Sequence, residues 1–241
     1  MKWPKREKWN ELFAFLWEEF LDAVIPRRRL NQRFLNTIGH MTPEELAGWL
    51  ARGADPNAHT SGWGSCALGR AARSPFTEDD LVARLLEAGA DPNALDLPNI
   101  EPPLVQAAHS STDEKICLLL EAGADPSVIN TRGLSVLDEL TRWAHIETIE
   151  KAMDYGASVH LGAPLHFAVY AQRPELIRLF LESGADPHQR DRRWENQLPC
   201  EIARELSTSP EKALGYNQTT NEKILRLLSE AVAAHTIDSK G

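Results

Sequence analysis

The side chains that most often perform catalysis or bind metals are few in this sequence, and they lie far apart. Its eight histidines are scattered, and the three cysteines, Cys66, Cys117 and Cys200, do not have the spacing of about two to four residues that zinc-binding pairs show. The sequence lacks a glycine-rich phosphate loop, a His-Glu-x-x-His motif and a Gly-x-Ser-x-Gly motif. We therefore predict that the protein is not an enzyme and that it needs no cofactor and no metal.

Charge and cysteine content narrow the function classes further. The formal net charge of −9 argues against nucleic acid as the main partner, because nucleic-acid-binding surfaces are usually basic, and an acidic chain would suit a neutral or basic protein instead. An odd number of distant cysteines is typical of a reducing compartment. We predict a cytoplasmic protein, since the apolar residues near the N-terminus are interrupted by Glu11, Glu18, Glu19 and Asp22 and do not form a signal peptide or a membrane span.

A short sequence motif that occurs five times, which we call the junction phrase, marks the boundaries of the elements that position any binding residues. It reads Gly-Ala-Asp-Pro in four copies, and the glycines are Gly53, Gly89, Gly123, Gly156 and Gly184, at steps of 36, 34, 33 and 28 residues. Each phrase follows an apolar run with helical periodicity, so its glycine is expected in the left-handed conformation that ends a helix. A period of this length predicts stacked helical repeats.

The repeats resemble the ankyrin repeat. Ala-Pro-Leu-His-Phe-Ala (Ala163 to Ala168), followed by Leu-Glu-Ser-Gly-Ala-Asp-Pro (Leu181 to Pro187), is similar to the family pattern Thr-Pro-Leu-His-x-Ala and Leu-Leu-x-x-Gly-Ala-Asp. Among the five corresponding positions only His166 keeps the family histidine, and no copy keeps the threonine. The resemblance implies an all-α ankyrin-repeat solenoid of about six helix pairs over residues 31–235, in which projecting loops, the fingers, separate one pair from the next.

One regularity and two irregularities follow from this alignment. Nine residues before each junction glycine, or before Ala231 in the last unit, stand only acidic residues: Glu44, Asp80, Glu114, Glu147, Glu175 and Glu222. They are expected in the first turns of the second helices, where a carboxylate meets the positive end of the helix dipole. The fourth finger is about five residues shorter than the others, and the last pair carries an insertion of 12 residues within Ser207 to Thr219.

The N-terminal segment, residues 1–30, differs from the repeats. Apolar residues recur at helical spacing from Trp9 to Ile25, which predicts an amphipathic helix that caps the open end of the array. The alternative is a helix that docks on an anionic membrane through the neighbouring basic residues. Residues 236–241 are expected to form a disordered tail.

Candidate partner-binding residues come from the fingers and from the concave face of the inner helices. By the resemblance, the fingers should present His59, Trp63, Asp96, Asn99, Glu101, Asn130, Arg132, Arg190, Arg192, Arg193 and Trp194. The leucine of the family pattern corresponds to Leu68, Leu104, Leu137, Leu165 and Cys200, which we call the leucine-like positions. Five residues past each of them, the inner helices should present Arg73, His109, Arg142, Tyr170 and Glu205. Trp63 and Trp194 are either interface anchors or rings that fold back on a neighbouring finger. The short fourth finger should leave a notch flanked by Arg132 and Trp194.

The function expected from these features is capture of another protein by a non-enzymatic array that is monomeric when unbound. Short bacterial proteins with such junctions often accompany secreted toxins or act as effectors, so the resemblance suggests an immunity protein that neutralises a toxin, for example a basic one. One alternative is a membrane-associated ankyrin adaptor that uses the N-terminal helix. Another is an enzyme whose site lies in the insertion after Ser207.

Overall fold

A computed structural model describes residues 27–59, 66–94, 101–109, 112–212 and 215–238, and these ranges contain twelve α-helices. The helices are α1 (Arg27–Thr37), α2 (Pro43–Ala51), α3 (Ala67–Arg73), α4 (Asp79–Glu87), α5 (Pro103–Ala108), α6 (Asp113–Glu121), α7 (Val136–Leu140), α8 (Ile146–Asp154), α9 (Pro164–Tyr170), α10 (Pro174–Glu182), α11 (Pro199–Thr208) and α12 (Gln218–Asp238). Three short 3-10 helices cover Ile38–His40, Arg192–Trp194 and Pro210–Lys212. Within the described ranges no β-strand is present, and the only β-type pairings are isolated bridges between Ile129 and Ser135 and between Asp191 and Gln197, in the third and fifth fingers.

The helices contact one another in two rows. We call α3, α5, α7, α9 and α11 the inner row, and each of these helices packs against the next. The outer row comprises α2, α4, α6, α8, α10 and α12; α2 to α8 pack successively, and α10 packs against α12. Each inner helix from α3 onward also packs against the outer helix that follows it. The described residues are thus consistent with a helical repeat fold, while the full count of six pairs stays a prediction.

Small residues allow the rows to approach closely. Ala71, Ala107, Leu140, Ala168 and Ala203 stand three residues past the leucine-like positions. Four of the five are alanine, and all five are fully buried. The alanine of every junction phrase is also buried, at 4 to 6% exposure. One continuous core of buried side chains therefore runs from α1 to α12.

The junction glycines adopt the predicted left-handed conformation. Gly53, Gly89, Gly123 and Gly184 have φ angles of 86 to 89°, and Gly156 has φ of 110°. At the second junction the Gly89 amide donates to Leu86 O and the Ala90 amide donates to Leu85 O, both at 2.9 Å. Residues other than glycine adopt such φ angles at a cost, so the phrase fixes where each finger leaves its helix.

Asparagine side chains connect one junction to the next. Asn57 Nδ2 donates to Gly89 O at 2.8 Å, and Asn57 Oδ1 accepts from the Asp91 amide at 2.7 Å. Asn93 makes the equivalent pair of bonds to Gly123 O and the Asp125 amide, at 2.8 and 2.7 Å. At the third junction Ser127 stands in this place, and both its amide and its hydroxyl bond to Asp125 Oδ1 in its own turn. The side-chain connection therefore changes after the second junction.

The acidic residues predicted for the outer helices lie in first turns at five of the six positions. Glu44, Asp80, Glu114, Glu147 and Glu175 all occupy the first turn of their helix. The expectation is wrong for Glu222, because α12 begins four residues earlier, at Gln218. The extra turn arises from the insertion, which also contains the 3-10 helix Pro210–Lys212.

Carbonyl groups at or just after the C-terminal ends of the inner helices accept hydrogen bonds from side chains of neighbouring helices and loops. Lys115 is fully buried, and its Nζ donates to Ser74 O, at the end of α3, over 2.8 Å. Trp143 Nε1 donates to Ala108 O at 2.8 Å, and Arg173 Nη1 donates to Ala144 O at 2.7 Å. These side chains satisfy carbonyl groups that a short helix leaves unpaired.

Two terminal expectations extend beyond the described residues. The predicted helix from Trp9 to Ile25 lies outside them, and so does most of the segment assigned as a cap. At the other end, α12 continues to Asp238, three residues into the predicted tail 236–241. No helix within the described part of the chain is both long and apolar enough to span a bilayer.

Replacing Asn93 by alanine tests how much the asparagine hydrogen bonds between successive junctions contribute to stability. The substitution removes two hydrogen bonds that cross between repeats, so we expect the free energy of unfolding to fall by about 1 to 2 kcal/mol. Ser127→Ala is the matched control, because its side chain bonds only within its own turn, and we expect a loss below about 0.5 kcal/mol. Urea unfolding of both variants measures the difference. Equal losses of unfolding free energy would show that the asparagine bonds between repeats stabilise the fold no more than a bond within one turn does.

Candidate partner-binding surface

Two positions of the inner row face the fingers. The first lies two residues past the leucine-like position and holds Gln106, Glu139, Phe167 and Ile202 in successive helices from α5 onward. The second lies five residues past it and holds Arg73, His109, Arg142, Tyr170 and Glu205. Contacts between these positions and the finger residues define the candidate surface.

The centre of this surface is a cluster of charges around Glu139. Arg132 Nη2, from the third finger, lies 2.6 Å from Glu139 Oε1, and His109 Nδ1 lies 3.3 Å from the same oxygen. Arg142 Nη1 lies 3.6 Å from Glu139 Oε2, and Asn130 Nδ2 donates to Oε1 at 3.1 Å. Only 2% of the Glu139 side chain is exposed, whereas Arg132 and Arg142 are 55 and 52% exposed. One buried carboxylate thus holds two arginines whose outer surfaces face solvent.

His109 lies between two carboxylates. Its Nε2 is 2.7 Å from Glu101 Oε2, and its Nδ1 is 3.0 Å from Arg132 Nη2 as well as 3.3 Å from Glu139. In the neutral ring Nδ1 accepts from Arg132, and in the protonated ring it donates to Glu139. The hydrogen bond to Glu139 raises the pKa of His109, with a further contribution from Glu101, despite the opposing effect of partial burial.

The same contacts act on the carboxyl group of Glu139. Burial by itself would raise the pKa of Glu139, but the hydrogen bond from His109 and the charges of His109, Arg132 and Arg142 lower it overall. The carboxylate is therefore ionised at neutral pH and holds its cationic neighbours in place.

Arg193 fills the notch that the short fourth finger was expected to leave. Its Nη1 donates to Gly133 O of the third finger at 2.8 Å and lies 3.3 Å from Asp138 Oδ2. Its Nη2 and Nε bond to Asp191 in its own finger at 2.7 and 2.8 Å. The third and fifth fingers thus contact each other directly, because the fourth is too short to separate them, and the expectation of an open notch is corrected.

Asp138, at the base of this bridge, is fully buried. Its carboxylate accepts from the Ser135 amide at 2.9 Å and from the Ala163 amide at 2.8 Å. The neighbouring Gly162 has φ of 73°, and a Cβ there would lie 2.0 Å from Asp138 Oδ2, so only glycine fits. Burial raises the pKa of Asp138 to about 6, although the two amides and Arg193 act to lower it.

An aromatic cluster lies beside the bridge. The ring of Trp194 contacts Phe167 edge to face at a centroid distance of 5.3 Å, and it lies 5.4 Å from the ring of Tyr170 and 6.4 Å from that of His166. Trp194 therefore folds back on α9, and its buried Nε1 has no hydrogen-bond partner among the described atoms. His166 is fully buried, with Nε2 3.1 Å from Gln197 O, and burial lowers its pKa. His166 therefore connects α9 to the fifth finger and has a structural role.

A cleft of about 250 Å³ opens next to Trp194. Its walls include apolar parts of Tyr170, Trp194, Ile202 and Leu206, together with polar groups that are already engaged. Among these, Glu205 accepts from Gln197 Nε2 at 2.8 Å and pairs with Lys212. The cleft is thus lined by apolar and polar groups in similar proportion.

The predicted binding residues fall into four groups. Exposed in the structure are His59, Arg73, Arg132, Arg142, Arg190 and Arg192, and half-buried are Glu101, His109, Tyr170 and Trp194. Asn130 is a correction, because it is 5% exposed and its amide bonds to Glu139 and the turn of its own finger, so a partner cannot reach it. Arg193 bridges two fingers and its side chain is 28% exposed, so its contact with a partner stays a prediction. Trp63, Asp96 and Asn99 lie outside the described residues.

The sequence did not identify the buried residues that contact the side chains of the candidate surface. Glu139 and Asp138 were not selected, although two adjacent acids in a buried inner helix are a signal that cationic partners must approach from other repeats. Phe167 and Ile202 were also missed, and their shared position two residues past the leucine-like residue could have identified them. In the part of the chain that the structure describes, no group of three or more His, Cys, Asp or Glu could hold a metal ion.

The Arg193 bridge is tested by Arg193→Gln at two pH values. A folded pKa of about 6 means that the contribution of Asp138 to stability is fullest below about pH 4 and declines as pH rises through 6. The charge of Arg193 limits that decline. We therefore expect the substitution to cost about 1 to 3 kcal/mol of unfolding free energy near pH 8 and clearly less near pH 5.

Arg192→Gln is the control for this experiment, since Arg192 is exposed in the same finger. We expect it to change the unfolding free energy by less than about 0.5 kcal/mol at both pH values. Urea unfolding at each pH provides the measurement. A loss for Arg193→Gln that does not depend on pH would contradict the ionised pair with Asp138.

Comparison with known proteins adds one match to these observations. No curated protein has significant sequence similarity to the chain. The family model described as the ankyrin repeat matches residues 163–192, which span α9, α10, the following junction and the start of the fifth finger. This match supports the interpretation of the chain as an ankyrin-repeat protein.

Proposed function

We propose that the protein is a non-enzymatic interaction module that binds a partner protein through its inner row and fingers. The observation that carries this proposal is that Arg142, in the turn after α7, and Tyr170, in α9, occupy equivalent positions of successive repeats, and that Tyr170 also lines a cleft. Arginine and tyrosine are enriched among the residues that dominate binding energy at protein interfaces. Ankyrin repeats in general bind other proteins, in agreement with the family match.

The size of the cleft favours a protein partner over a small molecule. Sites for drug-sized ligands usually enclose about 300 to 1,000 Å³ and cover most of the ligand. The cleft beside Trp194 has about 250 Å³ and is open to solvent. Such a depression suits one apolar side chain of a partner whose remaining contacts spread over the neighbouring helices.

The finer parts of the proposal are a monomeric unbound state, a cytoplasmic location and a role in toxin immunity. Their support is the resemblance to short bacterial arrays and the absence of a catalytic motif in the sequence. A basic toxin would find its charge complement on the outer row, whose exposed side chains are mostly acidic. The arginines beside the cleft do not favour such a toxin as the occupant of the inner row.

Partner capture by matched variants tests this function. The immobilised chain is incubated with native lysate, and retained proteins are quantified by mass spectrometry for the unchanged chain and four alanine variants. Tyr170→Ala and Arg142→Ala alter the candidate surface. The controls Tyr155→Ala and Arg178→Ala alter exposed residues of the outer row, at the end of α8 and within α10. We expect the first two to reduce retention of the specific partner about tenfold or more, since interface anchors contribute about 2 kcal/mol.

The controls exclude a general loss of folding. All four variants should show cooperative thermal unfolding, and the Tyr155 and Arg178 variants should retain the partner as well as the unchanged chain does. Equal retention by all four variants would show that the partner binds elsewhere.

A further inference from the structure

Acidic residues predominate in the outer helices α2 to α10, and the inner helices α3 to α9 contain no exposed acidic residue. The inner helix α11 differs, because it contains Glu201 and Glu205. Each outer helix from α2 to α10 contains more acidic than basic residues, and most of these carboxylates are exposed. In the inner row, α3 contains Arg70 and Arg73 without any acidic residue, and α5 and α9 contain no acidic residue either. The net charge of −9 therefore does not describe the surface that faces a partner.

The acidic residues of α7 do not reverse this pattern. Asp138 and Glu139 are the two carboxylates of that helix, and their side chains are 0 and 2% exposed. Each is covered by an arginine, and Glu139 is covered by two, so one buried negative charge faces two positive ones. The excess positive charge is presented to solvent by the exposed halves of Arg132 and Arg142.

We infer that the partner presents an extended acidic segment, which lies across the inner row from α3 to α9 and places an apolar side chain in the cleft beside Trp194. This inference rests on the proposed function and specifies the chemistry of the partner. Carboxylates of the segment pair with Arg70, Arg142 and Arg132 in turn. The apolar side chain lies against Tyr170, Trp194 and Ile202.

The dimensions of the surface agree with a short peptide. Packed helices are spaced by about 8 to 10 Å, so the three steps from α3 to α9 cover roughly 24 to 30 Å. An extended chain spans about 3.3 to 3.6 Å per residue, which means that about seven to nine residues cross the surface. Since side chains of an extended segment alternate between two faces, every second residue can point towards the arginines.

Local charge outweighs the net charge of the chain at this distance. At physiological ionic strength the Debye length is about 8 Å, so the exposed carboxylates on the far side of the outer row are screened from a peptide on the inner row. Arg132 and Arg142 lie within contact distance of such a peptide and are much less screened. The repulsion expected from the overall negative charge therefore does not prevent binding.

An acidic peptide fits this surface better than a nucleic acid does. Single strands are bound by aromatic rings whose faces are open for base stacking. The ring of Trp194 is instead packed against Phe167, Tyr170 and His166 at 5.3 to 6.4 Å, and only part of it borders the cleft.

The test is fluorescence anisotropy with three labelled peptides of about ten residues, each ending in Leu-Leu and rich in Glu, Gln or Lys, and with a labelled single-stranded DNA of similar length. The full chain is titrated at physiological salt. We expect the Glu peptide to bind at least about tenfold more tightly than the Gln peptide, and the Lys peptide and DNA to bind no more tightly than the Gln peptide.

Substitutions locate the binding. Arg70→Gln and Arg142→Gln should each weaken the Glu peptide about two- to fivefold, and the matched outer-row change Arg178→Gln should leave its affinity unchanged. Preferential binding of DNA, equal binding of the three peptides, preference for the Lys peptide, or absence of any binding would each overturn the inference. If the Lys peptide binds preferentially and Arg142→Gln alters that binding, the binding surface given under the proposed function is supported. Only the sign of the charge inferred for the partner is then wrong.

Discussion

The structure depends on how each repeat satisfies the backbone groups at its junction with the next. Short helices leave many amide and carbonyl groups unpaired, and such groups are costly when they are buried. A left-handed glycine closes the end of each outer helix from α2 to α10, and Asn57 and Asn93 bond to both an amide and a carbonyl of the following junction. At the C-terminal ends of the inner helices α3, α5 and α7, or in the turns that follow, the missing donors come from Lys115, Trp143 and Arg173. The fingers and the exposed positions of the inner row are therefore left free to vary.

The departures from regularity concentrate in the second half of the chain. There Ser127 replaces the connecting asparagine, and the fourth finger is too short to separate its neighbours. Arg193 compensates by joining the third and fifth fingers above the buried carboxylate of Asp138. The same rearrangement places Trp194 against α9, beside the cleft. The candidate binding surface thus arises where the repeat pattern is interrupted, next to the most regular segment, which matches the family model.

Local features of this structure were predictable from sequence, and contacts between distant residues were not. The φ angle of Gly89 and the placement of Glu147 in a first turn follow from helix capping and dipole effects within a few residues. The bond from Arg193 to Gly133 joins residues 60 positions apart, and it exists because of a deletion in a third segment. The burial of Asn130 depends likewise on a carboxylate nine residues away in the next helix. Composition was misleading for charge, because a chain total does not indicate which row carries the arginines.

The central claim is that the inner row and fingers, rather than the acidic outer row, contact the partner. Hydrogen–deuterium exchange of the chain, free and bound to a captured partner, tests this claim most directly, because it reports protection along the backbone without any substitution. Added protection should appear in the segments around Arg132, Arg142, Tyr170 and Trp194 while the exposed outer-row segments exchange as in the free chain. Protection confined to α4, α6, α8 and α10 would contradict the account.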